Sequence, residues 1–113
     1  MSFWSEYCTD IYQIPDMFPD DERWNMRYGG KDLKATKVIY TNGIEDPWQH
    51  ASIVDKPGDT DNVYIMIDCE GCSHCMDLRV ESETDDANLT AARNQIKSQI
   101  TEWWAAELKL EKS

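Results

Sequence analysis

Long apolar runs are absent from this chain of 113 residues. Nothing approaches the roughly 18 consecutive apolar residues that span a bilayer, so no transmembrane helix and no membrane partner are expected. The opening Met1-Ser-Phe-Trp-Ser-Glu6 has neither a basic n-region nor an apolar h-region, so it does not read as a secretory signal. If these residues are the tail of a longer chain, such a signal would precede them, and the address stays open. Cationic side chains are also scarce, with 11 Lys and Arg against 22 Asp and Glu, a net charge of −11. Neutralising phosphates needs the opposite balance, which excludes nucleic acid as a partner. An acidic surface suits solubility or a compartment of low pH. No internal repeat or low-complexity tract is present.

A hydrophobic share of 41% is too high for a disordered tail, so one α/β domain-sized piece over residues 1–113, without a second domain, is expected. Phe3, Tyr7 and Ile11, flanked by Trp4 and Cys8, recur at helical spacing and predict an amphipathic helix from about Ser2 to Gln13, ended by Pro15 and Pro19. From Asp16 to Asp32 the chain is polar and closes on Gly29-Gly30, which reads as a long surface connection. Lys37–Thr41 and Val63–Asp68 are β-branched, aromatic and bounded by turn residues. They are expected as buried parallel strands covered on both faces, with Asn42-Gly43 closing the first. Residues Asp86 to Lys109 carry Leu89, Ala92, Ile96, Ile100, Trp103 and Ala106 or Leu108 on one helical stripe, with Asp85 and Asp86 favouring the N-terminus.

The loops after the two strands hold the candidate chemistry. Asp46-Pro47-Trp48 follows the first and Ser73-His74-Cys75-Met-Asp77-Leu78 follows the second. If the strands are parallel neighbours, both loops open on one edge. A buried carboxylate there can hold an imidazole through Nδ1–H, which is two thirds of a Ser-His-Asp triad. In α/β-hydrolases the order is nucleophile, acid, histidine, so a nucleophile is expected upstream.

Asn42-Gly-x-x-Asp46-Pro-Trp48, followed by Ser73-His74-Cys75-Met-Asp77-Leu78, resembles the C-terminal segment of the serine carboxypeptidase family that includes lysosomal Pro-X carboxypeptidase, dipeptidyl-peptidase II and thymus-specific serine protease. Cys8-Thr-Asp10, Tyr28-Gly29-Gly30 and the closing helix near Trp103-Trp104 fall in the family's order. The resemblance implies the C-terminal part of an α/β-hydrolase fold: two parallel strands, connecting loops and a long C-terminal helix. It further implies a lysosomal, vacuolar or secreted exopeptidase, a carboxypeptidase or dipeptidyl-peptidase, acting on peptides with proline near a terminus. Asp46 would be the triad acid, His74 the general base and Trp48 a wall of the substrate pocket, with no cofactor and no metal. The family's nucleophile lies in a Gly-x-Ser-x-Gly elbow, and none of Ser2, Ser5, Ser52, Ser73, Ser82, Ser98 and Ser113 has that setting. The chain alone is therefore expected to be an inactive fragment whose partner is the N-terminal part of the same enzyme. A lone parallel pair of strands has uncovered edges and is expected to be marginal or adhesive by itself.

Rival readings attach to particular residues. His50 follows the acid in the same loop and is expected to face solvent on a short helical turn; Asp77 is expected as a local loop or cap residue. Cys69-x-x-Cys72-x-x-Cys75 with His74, completed by Cys8, offers soft ligands for a small zinc-binding module. In an oxidising compartment Cys69 would instead pair with Cys72 or with a cysteine on the missing part. A non-catalytic acidic interaction protein is the third reading. Asn88-Leu89-Thr90 is a glycosylation sequon, meaningful only in the secretory pathway.

Overall fold

The two β-branched runs pair with one another. In a computed structural model that describes residues 2–14 and 20–111, β1 (Ile39–Gly43) and β2 (Val63–Ile67) form a two-stranded parallel sheet. The register runs from Ile39 opposite Val63 to Gly43 opposite Ile67. β1 starts two residues later than the expected Lys37, because Lys37 is left-handed (φ 58°) and its N–H goes to the Asp61 carbonyl at 2.9 Å. The Asn62 side chain clamps this end: Oδ1 accepts from the Val38 N–H (2.9 Å), and Nδ2 donates to the Ala35 carbonyl (2.8 Å). At the other end Asn42 and Gly43 close the strand from within it. They are its last paired residues, and the Ile44 N–H still reaches the Ile67 carbonyl at 3.0 Å.

Side chains alternate across a strand, so one face of β2 carries Ile65 and Ile67. These pack with Cys69, Cys72, Leu89 and Ala92 as the core. Met66, on the opposite face, remains 40% exposed, so the expected burial on both faces is not realised there. The cover on the core face is α3 (Ala87–Leu110), capped by Asp86, whose Oδ1 accepts the Asn88 N–H at 2.7 Å. Only part of the predicted stripe is used: Leu89 and Ala92 are buried and Ile96 packs at the margin, whereas Ile100 and Leu108 are exposed. Length explains this. A strand of five residues is about 16 Å long and a helix of 24 about 36 Å, so α3 outruns the strands; its later turns keep Trp103 half-buried and pair Glu107 with Lys37, just before β1.

The chain divides into two compact units, with the boundary between Lys34 and Ala35. In the first, α1 (Ser2–Tyr12) falls where the apolar spacing places it; Pro15 and Pro19 lie outside the described residues. The expected surface connection contains α2 (Asp21–Tyr28). Its signals are polar rather than periodic. Asp20 caps the Arg23 N–H (3.1 Å), Asp21 and Glu22 occupy the first turn, Arg27 the last, and Gly29 closes the helix at φ 91°. Trp24 and Tyr28, one turn apart, stack with centroids 4.9 Å apart. No helix among the described residues is long and apolar enough to cross a membrane.

A polar lock holds the sheet at the edge where the strands begin. The Asp59 carboxylate accepts from the Tyr64 hydroxyl (2.6 Å) and Asn62 Nδ2 (2.8 Å), and the Tyr64 ring stacks on Tyr40 at 5.2 Å. The Tyr64 and Asn62 hydrogen bonds outweigh desolvation and hold the Asp59 carboxyl at about 2; desolvation and the Asp59 carboxylate push Tyr64 up to about 12. Asp59 is lowered in the fold, so its stabilisation is complete above the ordinary value of 3.8 and fades as pH falls toward 2. Tyr64 is raised, so its contribution is intact below 10.0 and is lost as pH rises toward 12. In a phenolate absorbance titration Tyr64 is expected to ionise late, toward pH 12, and Asp59→Asn to bring it forward. Unchanged titration in that variant would contradict the lock.

Candidate active site

The two loops that leave the sheet are interlocked by backbone. The Glu45 N–H donates to the Cys72 carbonyl (3.1 Å), and the Gly71 N–H donates to Glu45 Oε1 (3.1 Å). Gly43 makes the crossing: a Cβ there would lie 2.3 Å from the Cys72 carbonyl oxygen and 2.9 Å from that of Ser73. The second loop thus lies directly on the end of β1, and this brings Asp46 and His74 together.

Asp46 caps the 3-10 turn Pro47–His50, with its Oδ1 accepting the Trp48 N–H at 2.9 Å. Its Oδ2 faces His74 Nδ1 at 2.8 Å. The acid side chain is 7% exposed and the imidazole 60%. Desolvation pushes the Asp46 carboxyl upward, but the His74 hydrogen bond, the Trp48 N–H and the imidazolium charge outweigh it and hold the carboxyl below its ordinary 3.8. Asp46 is therefore ionised and an acceptor at neutral pH, so the hydrogen between it and His74 sits on Nδ1 and Nε2 faces away from the carboxylate. Trp48 stands beside this ring, centroids 6.4 Å apart at a tilt of 51°, and is itself 65% exposed. His50 ends the same turn, exposed.

Further contacts, most of them from residues outside the motif, hold the histidine loop. Cys69 and Cys72 are joined by a disulfide, while Cys8 and Cys75 are free thiols. Asp77 is not a local cap: on the 3-10 turn Met76–Leu78 it accepts from Thr41 Oγ1 at 3.0 Å and ties the loop to β1. Arg93, buried on α3, donates from Nε to the Asp77 carbonyl (3.1 Å) and from Nη2 to those of Met76 (2.9 Å) and Arg79 (3.1 Å). Its Nη1 pairs with the Asp85 carboxylate. A signal for Arg93 was present, since it lies four residues after Leu89 on the buried stripe, where a cation requires partners.

The zinc site does not assemble. Cys69 and Cys72 are spent on the disulfide and His74 Nδ1 on Asp46, and among the described residues no group of three or more His, Cys, Asp or Glu is arranged to hold a metal. Asn88 of the sequon lies in the first turn of α3, with its side-chain amide donating to the Asp68 carbonyl at 2.6 Å.

Histidine-assisted hydrolases on α/β scaffolds place a carboxylate-held imidazole at this edge of their parallel strands. The chain belongs to the serine carboxypeptidase S28 family, whose model matches residues 1–96. It is 32% identical over 109 residues to the probable serine protease EDA2 of Arabidopsis thaliana, a match spanning 89% of this chain and 22% of that protein. Human thymus-specific serine protease is 33% identical over 79 residues (70% of this chain, 15% of that protein). Human lysosomal Pro-X carboxypeptidase is 26% identical over 99 residues (87% and 19%). The chain spans about a fifth of the length of these relatives. No solved structure matches it.

Proposed function

We propose that residues 1–113 form one partial domain, the C-terminal part of an α/β-hydrolase fold, and supply acid and base to a serine-type exopeptidase. Asp46 is the triad acid. It keeps Nδ1 of His74 protonated and steadies the imidazolium that forms when Nε2 takes the nucleophile's proton. His74 is the general base and then the acid that protonates the leaving amine. The observation that carries this reading is the 2.8 Å contact between a 7% exposed carboxylate and a 60% exposed imidazole: the acid is shielded and the base faces outward, where a nucleophile and substrate would meet it.

The substrate is a peptide with proline near a terminus. The exposed indole of Trp48 beside His74 offers a flat apolar wall against which a pyrrolidine ring can pack. Support for proline comes also from the name of one relative, lysosomal Pro-X carboxypeptidase. The nucleophile is supplied by a segment outside this sequence, so these residues alone do not turn over. The test is hydrolysis of proline-containing chromogenic dipeptides by the purified chain and by His74→Ala at about pH 5 to 7, where histidine-based catalysis operates. Neither form is expected to release product. Turnover that disappears with His74→Ala would place a nucleophile within these residues and overturn the fragment reading.

A further inference from the structure

Arg93 is buried on α3, and its three bonds to backbone all go to the chain just after His74. Its guanidinium grips the carbonyls of Met76, Asp77 and Arg79, and the Asp85 carboxylate balances its charge. Between this grip and His74 stands only Cys75, a non-glycine residue in the left-handed region at φ 59°. A side-chain-bearing residue holds that conformation only when its surroundings over-determine it. On the N-terminal side the histidine loop is pinned by the Cys69–Cys72 disulfide and the Glu45 N–H on the Cys72 carbonyl. On the C-terminal side the pins are Arg93 and the Thr41–Asp77 hydrogen bond. His74 is thus a link in a short segment fixed at both ends, and its exposed ring has little packing of its own to orient it.

We propose that Arg93 is a positioning residue for His74: by clamping the carbonyls of Met76, Asp77 and Arg79 downstream, it holds Cys75 left-handed and keeps the His74 Nδ1–H directed at Asp46. This rests on the reading of Asp46 and His74 as acid and base. Lysine cannot replace it, since an ammonium is a compact point charge without the planar fork that reaches several carbonyls at once.

The test reads the tautomer of His74 by nitrogen NMR of the intact chain at about pH 9, where an ordinary histidine is neutral. An excluded osmolyte keeps the fold populated. A histidine in a short unstructured peptide serves as the reference ring. The wild-type chain is expected to hold His74 as the Nδ1–H tautomer, and Asp46→Asn to abolish that preference. If the wild type lacks the preference, the acid–base reading fails before Arg93 is tested. Given the preference, Arg93→Lys and the neutral Arg93→Gln are expected to lower the ratio of Nδ1–H to Nε2–H forms about tenfold, the loss of roughly one charge-assisted hydrogen bond. α3 helicity is expected to persist. A merely structural role would lower the melting temperature and leave the tautomer below it unchanged. Either variant, folded and with the wild-type tautomer, overturns the proposal. So does failure of both to fold while the wild type folds, since Arg93 would then support the whole fold instead of the histidine.

Discussion

Asp46→Asn, in an enzyme reconstituted from this chain and a segment carrying the Gly-x-Ser-x-Gly elbow, is expected to lower kcat/KM about 10⁴-fold, the scale seen when a triad carboxylate becomes an amide. The substitution changes almost no volume. Its effect is on the proton: an amide that keeps the Trp48 N–H on its oxygen turns its NH2 toward His74, so Nδ1 must become the acceptor and Nε2 carries the hydrogen. The base is then facing the wrong way. Stability should change little, because the shielded side chain stays hydrogen bonded at both ends. Full turnover in the variant would remove Asp46 from the mechanism. The wild-type pair has a defined acid limit as well. Because the Asp46 carboxyl is held below 3.8, the contact contributes stability above that value and loses it as pH falls through the lower folded-state value.

Gly43→Ala should be the most damaging small change in the molecule. The added methyl would meet the Cys72 carbonyl oxygen at 2.3 Å and the Cys72 carbon and Ser73 oxygen at 2.9 Å, all of them backbone atoms. No side chain can rotate away, so the two loops must separate, breaking the Glu45–Cys72 bond and drawing His74 from Asp46. A loss of about 3 to 5 kcal/mol is expected, a large share of a small domain's total stability. Gly58 is the control. It has φ +83° and no atom within 4 Å of an added Cβ, so Gly58→Ala pays only for its left-handed backbone, about 1 kcal/mol. Denaturant unfolding of both variants separates the two causes. Equal losses would mean that the crossing at Gly43 is looser than the structure has it.

Some of the architecture could be read locally. β-Branched runs bounded by turn residues located both strands, and the stripe with Asp86 before it located α3, because strand and helix periodicities are properties of near neighbours. α2 was missed because its signals are a cap, a charge gradient and a terminal glycine in a segment with no apolar period. The start of β1 was misplaced because the Asn62 side chain, remote in sequence, takes the Val38 N–H that a strand would have offered. The burial of the C-terminal half of α3 was overstated because a stripe marks what a helix can cover, while the length of the sheet beneath decides what it does cover.

The sequence by itself determined the order acid before histidine, their placement after two strands, the family pattern around them, and the absence of a nucleophile elbow within these residues. Only the tertiary structure decided that Asp46 and His74, 28 residues apart, meet at 2.8 Å. It also decided that Gly43 is the point of crossing, that Asp77 answers to Thr41, and that Arg93 is buried against the histidine loop. The physical reason is the range of the forces involved. Backbone preference and amphipathic period act over a few neighbouring residues, whereas the parallel register, the desolvation of a carboxylate and the satisfaction of a buried guanidinium exist only once distant segments have packed together.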